Sequence, residues 1–314
     1  MLGRNVGSNF IGGYFYIRMM KQLFTVFFNL PILFCSAQPA TEIFLFDMKV
    51  TNGQVTLSNG ENITKHKGYD NQPFFHPDQP VIYYSSFDDS GRSDIKVYDY
   101  HSGQTSNLTL TREREYSPTV TPDGNFISCI IQRDNGVQDL AKYPINGGKP
   151  EVLINHLKVG YHAWAADNKL FLFVLDDSVN NSLHYYYLDR NVDTVVAENI
   201  GRSLHKIPGQ NAMSFVQKIN DKQYVIKKYD LNTGVISSII PALPGQDQLC
   251  WLQNNIIVMS DGSKLFSFRE NSFIELKDRK WKPVIIEGDT SMLKGVTRLA
   301  VNIENTKLAM VVNE

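Results

Sequence analysis

The stretch PFFHPDQPVIYYSSFDDSGRSDIKVYD (73–99) decides how the chain is read. An aromatic run meets a Pro-Asp pair. An apolar run follows, a polar loop interrupts, and an alternating run closes the segment. The same order returns in TVTPDGNFISCIIQ (119–132) and, without the proline, in AWAADNKLFLFVLDD (163–177). Asp78, Asp123 and Asp167 mark one position at spacings of 45 and 44 residues. Weaker copies follow in KIPGQNAMSFVQK (206–218), CWLQNNIIVMSD (250–261) and AVNIENTKLAMVV (300–312). Gln210, Asn254 and Glu304 stand at their turns, the last after a step of 50 residues. A sustained period of this length belongs to a repeat architecture, in which each copy is one supersecondary unit.

Each copy continues in the same way. The apolar second run leads through a polar loop to a third (DIKVYD, DLAKYP, LHYYYLD, YVIKKYD, KLFSFR), a turn, and a fourth (QTSNLTL, KPEVLIN, TVVAEN, VISSII, SFIELK). Four short strands per ~44 residues describe a β-propeller blade. The first segment after the N-terminus, EIFLFDMKVTNGQVTLSN (42–59), supplies only a third and a fourth strand, and GVTRLAVNIENTKLAMVV (295–312) only a first and a second. Together they make one blade. The expectation is therefore an all-β, six-bladed β-propeller over 41–314, its ring closed by a composite blade. The N-terminal strands form the outer two and the C-terminal strands the inner two, leaving only short exposed edges.

At these residues the chain resembles a known family. SPTVTPDGNFISCI and PFFHPDQPVIYYSS…SDIKVYD are similar to the P-x-[WF]-S-P-D-G-x-x-[IL]-x-[FY]-x-S…D-I-[YW]-x-x-D repeat of TolB-type, WD-like six-bladed propellers. Two copies carry the full repeat, Trp164 and Asp167 carry a third, and the others keep the strand rhythm. The resemblance implies protein–protein interaction in the envelope of Gram-negative bacteria and brings no shared catalytic residues. His76 departs from it, standing where the repeat has Ser. Copies four to six lack the Pro-Asp-Gly turn, and the α/β domain that precedes the propeller in TolB has no counterpart in this sequence.

Residues 1–37 read as an upstream extension and a signal peptide. Lys21 gives a positive start, 23–34 an apolar core, and CSA before Gln38 a cleavage site near Ala37, with Met19 or Met20 as the start. This core is short for a membrane span, and a periplasmic or secreted location follows. Its removal takes away Arg4, Arg18 and Lys21 and no acid, leaving 28 basic against 32 acidic residues. A chain so balanced offers no basic field for nucleic acid or an anionic membrane. Cys129 and Cys250 lie in apolar runs and read as small buried hydrophobes. The sequons at Asn62, Asn107 and Asn180 carry little weight in a bacterial host.

The conspicuous polar residues divide into turns and a candidate rim. Pro77 and Pro122 pre-set φ for the first-to-second-strand turn, and Asp78 and Asp123 accept its backbone hydrogen bonds. Ser86 to Asp94 reads as a capped loop; its spacing fits neither an Asp-box nor an EF-type calcium loop. No histidine pair has ligand spacing, and no G-x-S-x-G nucleophile elbow occurs. The starts of the innermost strands should converge at one mouth of the central channel. There the repeat places Asp70, Gln72, Glu115, Tyr116, Tyr161, His162, Arg202, His205, Asp247, Gln248 and Arg298. This mixed, polar set suits a peptide or a polar small molecule. The expected function is a non-catalytic, monomeric binding module with a protein or peptide partner in the envelope and no cofactor. The alternatives are a divalent-metal propeller enzyme of lactonase or glycan-lyase type, with Asp70, Glu115, His162, His205 and Asp247 as ligands, or a carbohydrate binder.

Overall fold

The computed structural model describes residues 40–175, 181–270, 275, 279–291 and 293–314; the signal-peptide reading and Asn180 lie outside them. The chain begins with β1 (Thr41–Thr51) and β2 (Gln54–Asn62). Blade one is β3 (Asp70–Phe75), β4 (Val81–Phe87), β5 (Ser93–Asp99) and β6 (Gln104–Asn107). Blade two is β7 (Arg114–Val120), β8 (Phe126–Gln132), β9 (Gln138–Pro144) and β10 (Glu151–Ile154). Blade three is β11 (Val159–Ala166), β12 (Lys169–Val174), β13 (Ser182–Tyr187) and β14 (Val192–Glu198). Blade four is β15 (Ile200–Lys206), β16 (Ala212–Lys218), β17 (Tyr224–Asp230) and β18 (Ile236–Pro241). Blade five is β19 (Leu249–Leu252), β20 (Ile256–Ser260), β21 (Leu265–Arg269) and β22 (Lys282–Pro283). Then come β23 (Ile285–Ile286), β24 (Arg298–Val301) and β25 (Lys307–Asn313).

Each blade is an antiparallel meander in chain order. The sixth is composite, in the order β24, β25, β1, β2, because β1 pairs with β25 from Thr41↔Asn313 to Asp47↔Lys307. β23 adds a fifth, parallel strand to the outside of β2. The innermost strands adjoin one another in a closed cycle, β3, β7, β11, β15, β19 and β24. The fold is thus an all-β, six-bladed propeller. One strand differs from expectation. SFIELK (272–277) was assigned to the edge of blade five, but it falls almost wholly outside the described residues, and the strand paired to β21 is Lys282–Pro283.

The core sits between blades, and the strand sequences follow from that. Each of six apolar clusters joins two neighbouring blades. Both faces of a second strand are buried, each against a different neighbour. In β8, Cys129 and Ile131 pack toward blade one while Ile130 packs toward blade three. A strand buried on both faces reads as an unbroken apolar run, as in FISCII, LFLFVL and IIVMS. The outer strands β6 and β14 are largely exposed; β6 is polar throughout, and β14 leaves Val192 and Val195 at the surface. Cys129 and Cys250 are buried free thiols in two different clusters.

The turns explain the repeat's punctuation. Asp123 accepts from Thr121 Oγ1 at 2.5 Å and from the Asn125 amide at 3.1 Å. In blade one His76 takes over the Thr121 position, and its Nδ1 accepts the Asp78 amide at 3.0 Å. Asp88 closes the loop after β4 by accepting from the amides of Ser90 and Arg92 at 2.9 and 3.0 Å. Arg92 then crosses to Asp134 of blade two at 3.2 Å. Among the described residues no helix is long and apolar enough to cross a membrane.

Candidate functional site

The antiparallel meander fixes where the site must lie. All six innermost strands run in one direction, so their first residues share one mouth of the axial channel and the turns after them share the other. The channel encloses about 680 Å³ and is walled by all six blades. The mouth carries Gln72, Ser117, Tyr161, Arg202, Gln248 and Arg298. Deeper, the wall turns apolar and aromatic, with Phe74, Ala163, Trp164, Leu204, Trp251 and Ala300. Pro77, Pro122, Asp167, Pro208 and Asn302 surround the far end.

Of the eleven residues expected at the rim, seven line this channel: Gln72, Tyr161, His162, Arg202, His205, Gln248 and Arg298. The other four do not. Asp70 is 1% exposed and sits at the junction of blades six and one, 3.5 Å from His66 Nδ1. Burial holds its carboxyl above the usual range. Glu115 has no exposure; its Oε1 accepts from Thr111 Oγ1 at 2.6 Å and from the Tyr143 hydroxyl at 2.9 Å, and burial raises its carboxyl too. Tyr116 packs into the cluster between blades two and three and against Phe87. Asp247 lies behind Gln248, buried, within 3.6 Å of both Arg202 and Lys218. Burial pushes its carboxyl up, but these two cations outweigh that and keep it low. Asp70 and Glu115 stand two residues before Gln72 and Ser117, and register shifts between Asn71 and Phe74 and between Tyr116 and Thr119 turn them off the axis.

The mouth is held by contacts between blades. Gln72 adopts a left-handed backbone, φ 60°, as does its counterpart Ser117 at φ 55°. Gln72 Oε1 accepts from the Ser117 amide at 2.6 Å and from Ser85 Oγ at 3.0 Å, which ties blade one to blade two. Ser203 Oγ accepts the Leu249 amide at 3.2 Å, tying blade four to five. Gly201 is required there, since an added Cβ would stand 2.6 Å from the Asp247 Cβ. Trp164 Nε1 donates to Ser128 Oγ at 2.9 Å, and Trp251 Nε1 to Ser214 Oγ at 2.8 Å, each reaching the preceding blade.

The two channel histidines, His162 and His205, are held neutral by burial. His162 Nε2 lies 2.7 Å from Ser128 Oγ, which itself donates to the Thr119 carbonyl. The proton of His162 is therefore on Nε2, and Nδ1 is left without a partner in the protein. Burial holds His162 at about 3 and His205 at about 4. Tyr161 is the meeting point of the cations. Arg298 stacks over its ring at 4.8 Å. Burial alone would raise the Tyr161 phenol, yet Arg298 and Arg202 together bring it below its ordinary value. Tyr69, one residue before Asp70, is instead raised by burial, which outweighs the opposing effect of Arg298 and Arg202. The five metal candidates Asp70, Glu115, His162, His205 and Asp247 are not brought together. Among the described residues no three His, Cys, Asp or Glu converge on one point.

No family model and no curated protein matches the sequence. Solved structures share the fold. TolB from Acinetobacter baumannii superposes with a TM-score of 0.56 at 13% identity over 73% of this chain and 60% of that one. The present chain thus spans less than two thirds of that protein. A TolB candidate from Agrobacterium tumefaciens gives 0.65 at 11% identity over 88% and 99%. A gluconolactonase from Xanthomonas campestris gives 0.60 at 12% identity over 88% and 98%. At these identities the likeness establishes the propeller and leaves function to the site.

Proposed function

We propose that this chain is an exported, non-catalytic binding module that engages a peptide or protein partner of the bacterial envelope at the channel mouth. The carrying observation is the mouth itself: Tyr161, Arg202, Gln248 and Arg298 rise from four blades around an opening that leads to an aromatic wall. Tyr and Arg are among the residue types enriched at the hot spots that carry most of the binding energy of protein interfaces. A concave site with a few polar groups over an apolar floor suits a short segment of chain. The metal-enzyme reading is weaker because its five candidate ligands are dispersed. Location outside the cytoplasm rests on the signal-peptide reading of 20–38.

The test compares the immobilised protein with its Tyr161→Ala variant in envelope extract. Partners held by the parent and lost by the variant support the proposal. Turnover of a lactone or oligosaccharide panel, with identical captures by both proteins, overturns it.

A further inference from the structure

We infer that the channel mouth binds a carboxylate of the peptide, held by the guanidinium groups of Arg298 and Arg202; this rests on the peptide-binding reading above. The charge count at the mouth is uneven. Arg298 has the Tyr161 ring at 4.8 Å and the neutral Gln248 Oε1 at 3.4 Å, and among the described residues no carboxylate pairs with it. Arg202, 49% exposed at its side chain, hydrogen-bonds Tyr161 and has Asp247 at 3.6 Å as its one carboxylate among the described residues, and Lys218 shares that carboxylate at the same distance. Two cations therefore share the one carboxylate, and Arg298 stands beside them with no anion among the described residues. The lowered phenol of Tyr161 reports the same positive field from a second group.

A guanidinium offers paired N–H donors that match a carboxylate, and such charge-assisted bonds are about twice as strong as neutral ones. Asp247 selects the kind of anion. It stands beside Arg202, so a dianion such as a phosphate would meet its repulsion, whereas a monoanion neutralises Arg298 and leaves the Arg202–Asp247 pair in place. Behind the arginines Phe74, Trp164 and Leu204 offer apolar surface for the remainder of the peptide. The carboxylate can come from a chain terminus or from an Asp or Glu side chain.

Three random hexapeptide mixtures separate these cases: free C-terminus without Asp or Glu, amidated with Asp and Glu, and amidated without either. Retention on the immobilised protein is read by mass spectrometry. One or both of the first two mixtures should be retained, naming the carboxylate's source, and the third should not. Retention should fall steeply with added NaCl and drop at least about tenfold in Arg298→Gln, the loss expected for a charged hydrogen bond. Arg298→Lys should recover part of it. Arg190→Gln, in the β13–β14 turn at the opposite mouth, should change nothing. Equal retention of the third mixture overturns the carboxylate while the peptide reading stands. Retention of none overturns both. Retention indifferent to Arg298→Gln and to salt also overturns the carboxylate.

Discussion

Glu115 lies between blades one and two with no exposure, and its Oε2 has no hydrogen-bond partner. Its carboxyl titrates above the ordinary range because burial penalises the charge and Asp94 lies close by. An acid raised in the folded state favours folding fully below its unfolded value. That contribution is lost as pH rises through the folded one. At neutral pH Glu115 is therefore a cost. Glu115→Gln keeps an acceptor for Thr111 and Tyr143 and should stabilise the protein by about 1 kcal/mol at pH 7. The gain should vanish near pH 4, and thermal melting at the two pH values checks it; a loss at pH 7 would refute the assignment. The channel histidines act on the other limb. His162 at about 3 and His205 at about 4 bind fewer protons folded than unfolded. Their contribution is complete above the unfolded value and is lost as pH falls below it. Each should cost about 1.4 kcal/mol per pH unit in that window. His162→Gln should flatten the fall in melting temperature between pH 6.5 and 4.5; an unchanged slope counts against a neutral His162.

Strands and turns decide which of these groups face the channel. The rim was half legible. The repeat located the right end of each innermost strand, and Gln72, Tyr161, Gln248 and Arg298 each stand six residues before their blade's turn position. Asp70, Glu115 and Asp247 were taken along with them because they are polar and adjacent. The register shifts at the left-handed residues Gln72 and Ser117 turn Asp70 and Glu115 into the blade interfaces, and Asp247 lies behind Gln248, pairing with Arg202 instead of meeting solvent. Blades one to four all carry a register shift in the innermost strand, and in blade four, where it lies between Ile200 and Leu204, Arg202 reaches the mouth and Leu204 falls at the expected position. A bulge of this kind re-aims a side chain and leaves little trace in a single sequence. Gly201 sits in that irregular stretch, against Asp247. Gly201→Ala should push Asp247 away, cost about 2 kcal/mol as an overpacked contact, and weaken partner capture along with stability. A variant that melts like the parent would show that the two strands can part without strain.

At the level of the whole molecule the fold was legible because a ring repeats one local problem six times. Second strands are buried and mostly apolar, outer strands are more exposed, and turns carry Asp, Asn or Gly. These signals add across copies even where single copies are degenerate. The fourth strand of blade five escaped, since the pairing strand Lys282–Pro283 is only two residues long and offers no period to read. Closure was legible from the complementary half-blades, and it makes the C-terminal strand a global element. β25 buries Leu308, Ala309, Met310 and Val311 completely. It pairs with β24 on one side and β1 on the other, joining residues more than two hundred positions apart. Its loss would leave β1 and β24 as bare edges and open the clusters shared with blades one and five. Burial of four such side chains is worth roughly 1–3 kcal/mol each, comparable in sum to the 5–15 kcal/mol stability of a typical domain. A chain ending at Val301 should therefore lose the cooperative melting transition in scanning calorimetry and near-ultraviolet circular dichroism. A shortened chain that melts cooperatively within a few degrees of the parent would mean that five blades hold without the sixth, and that the ring is not closed by this pairing.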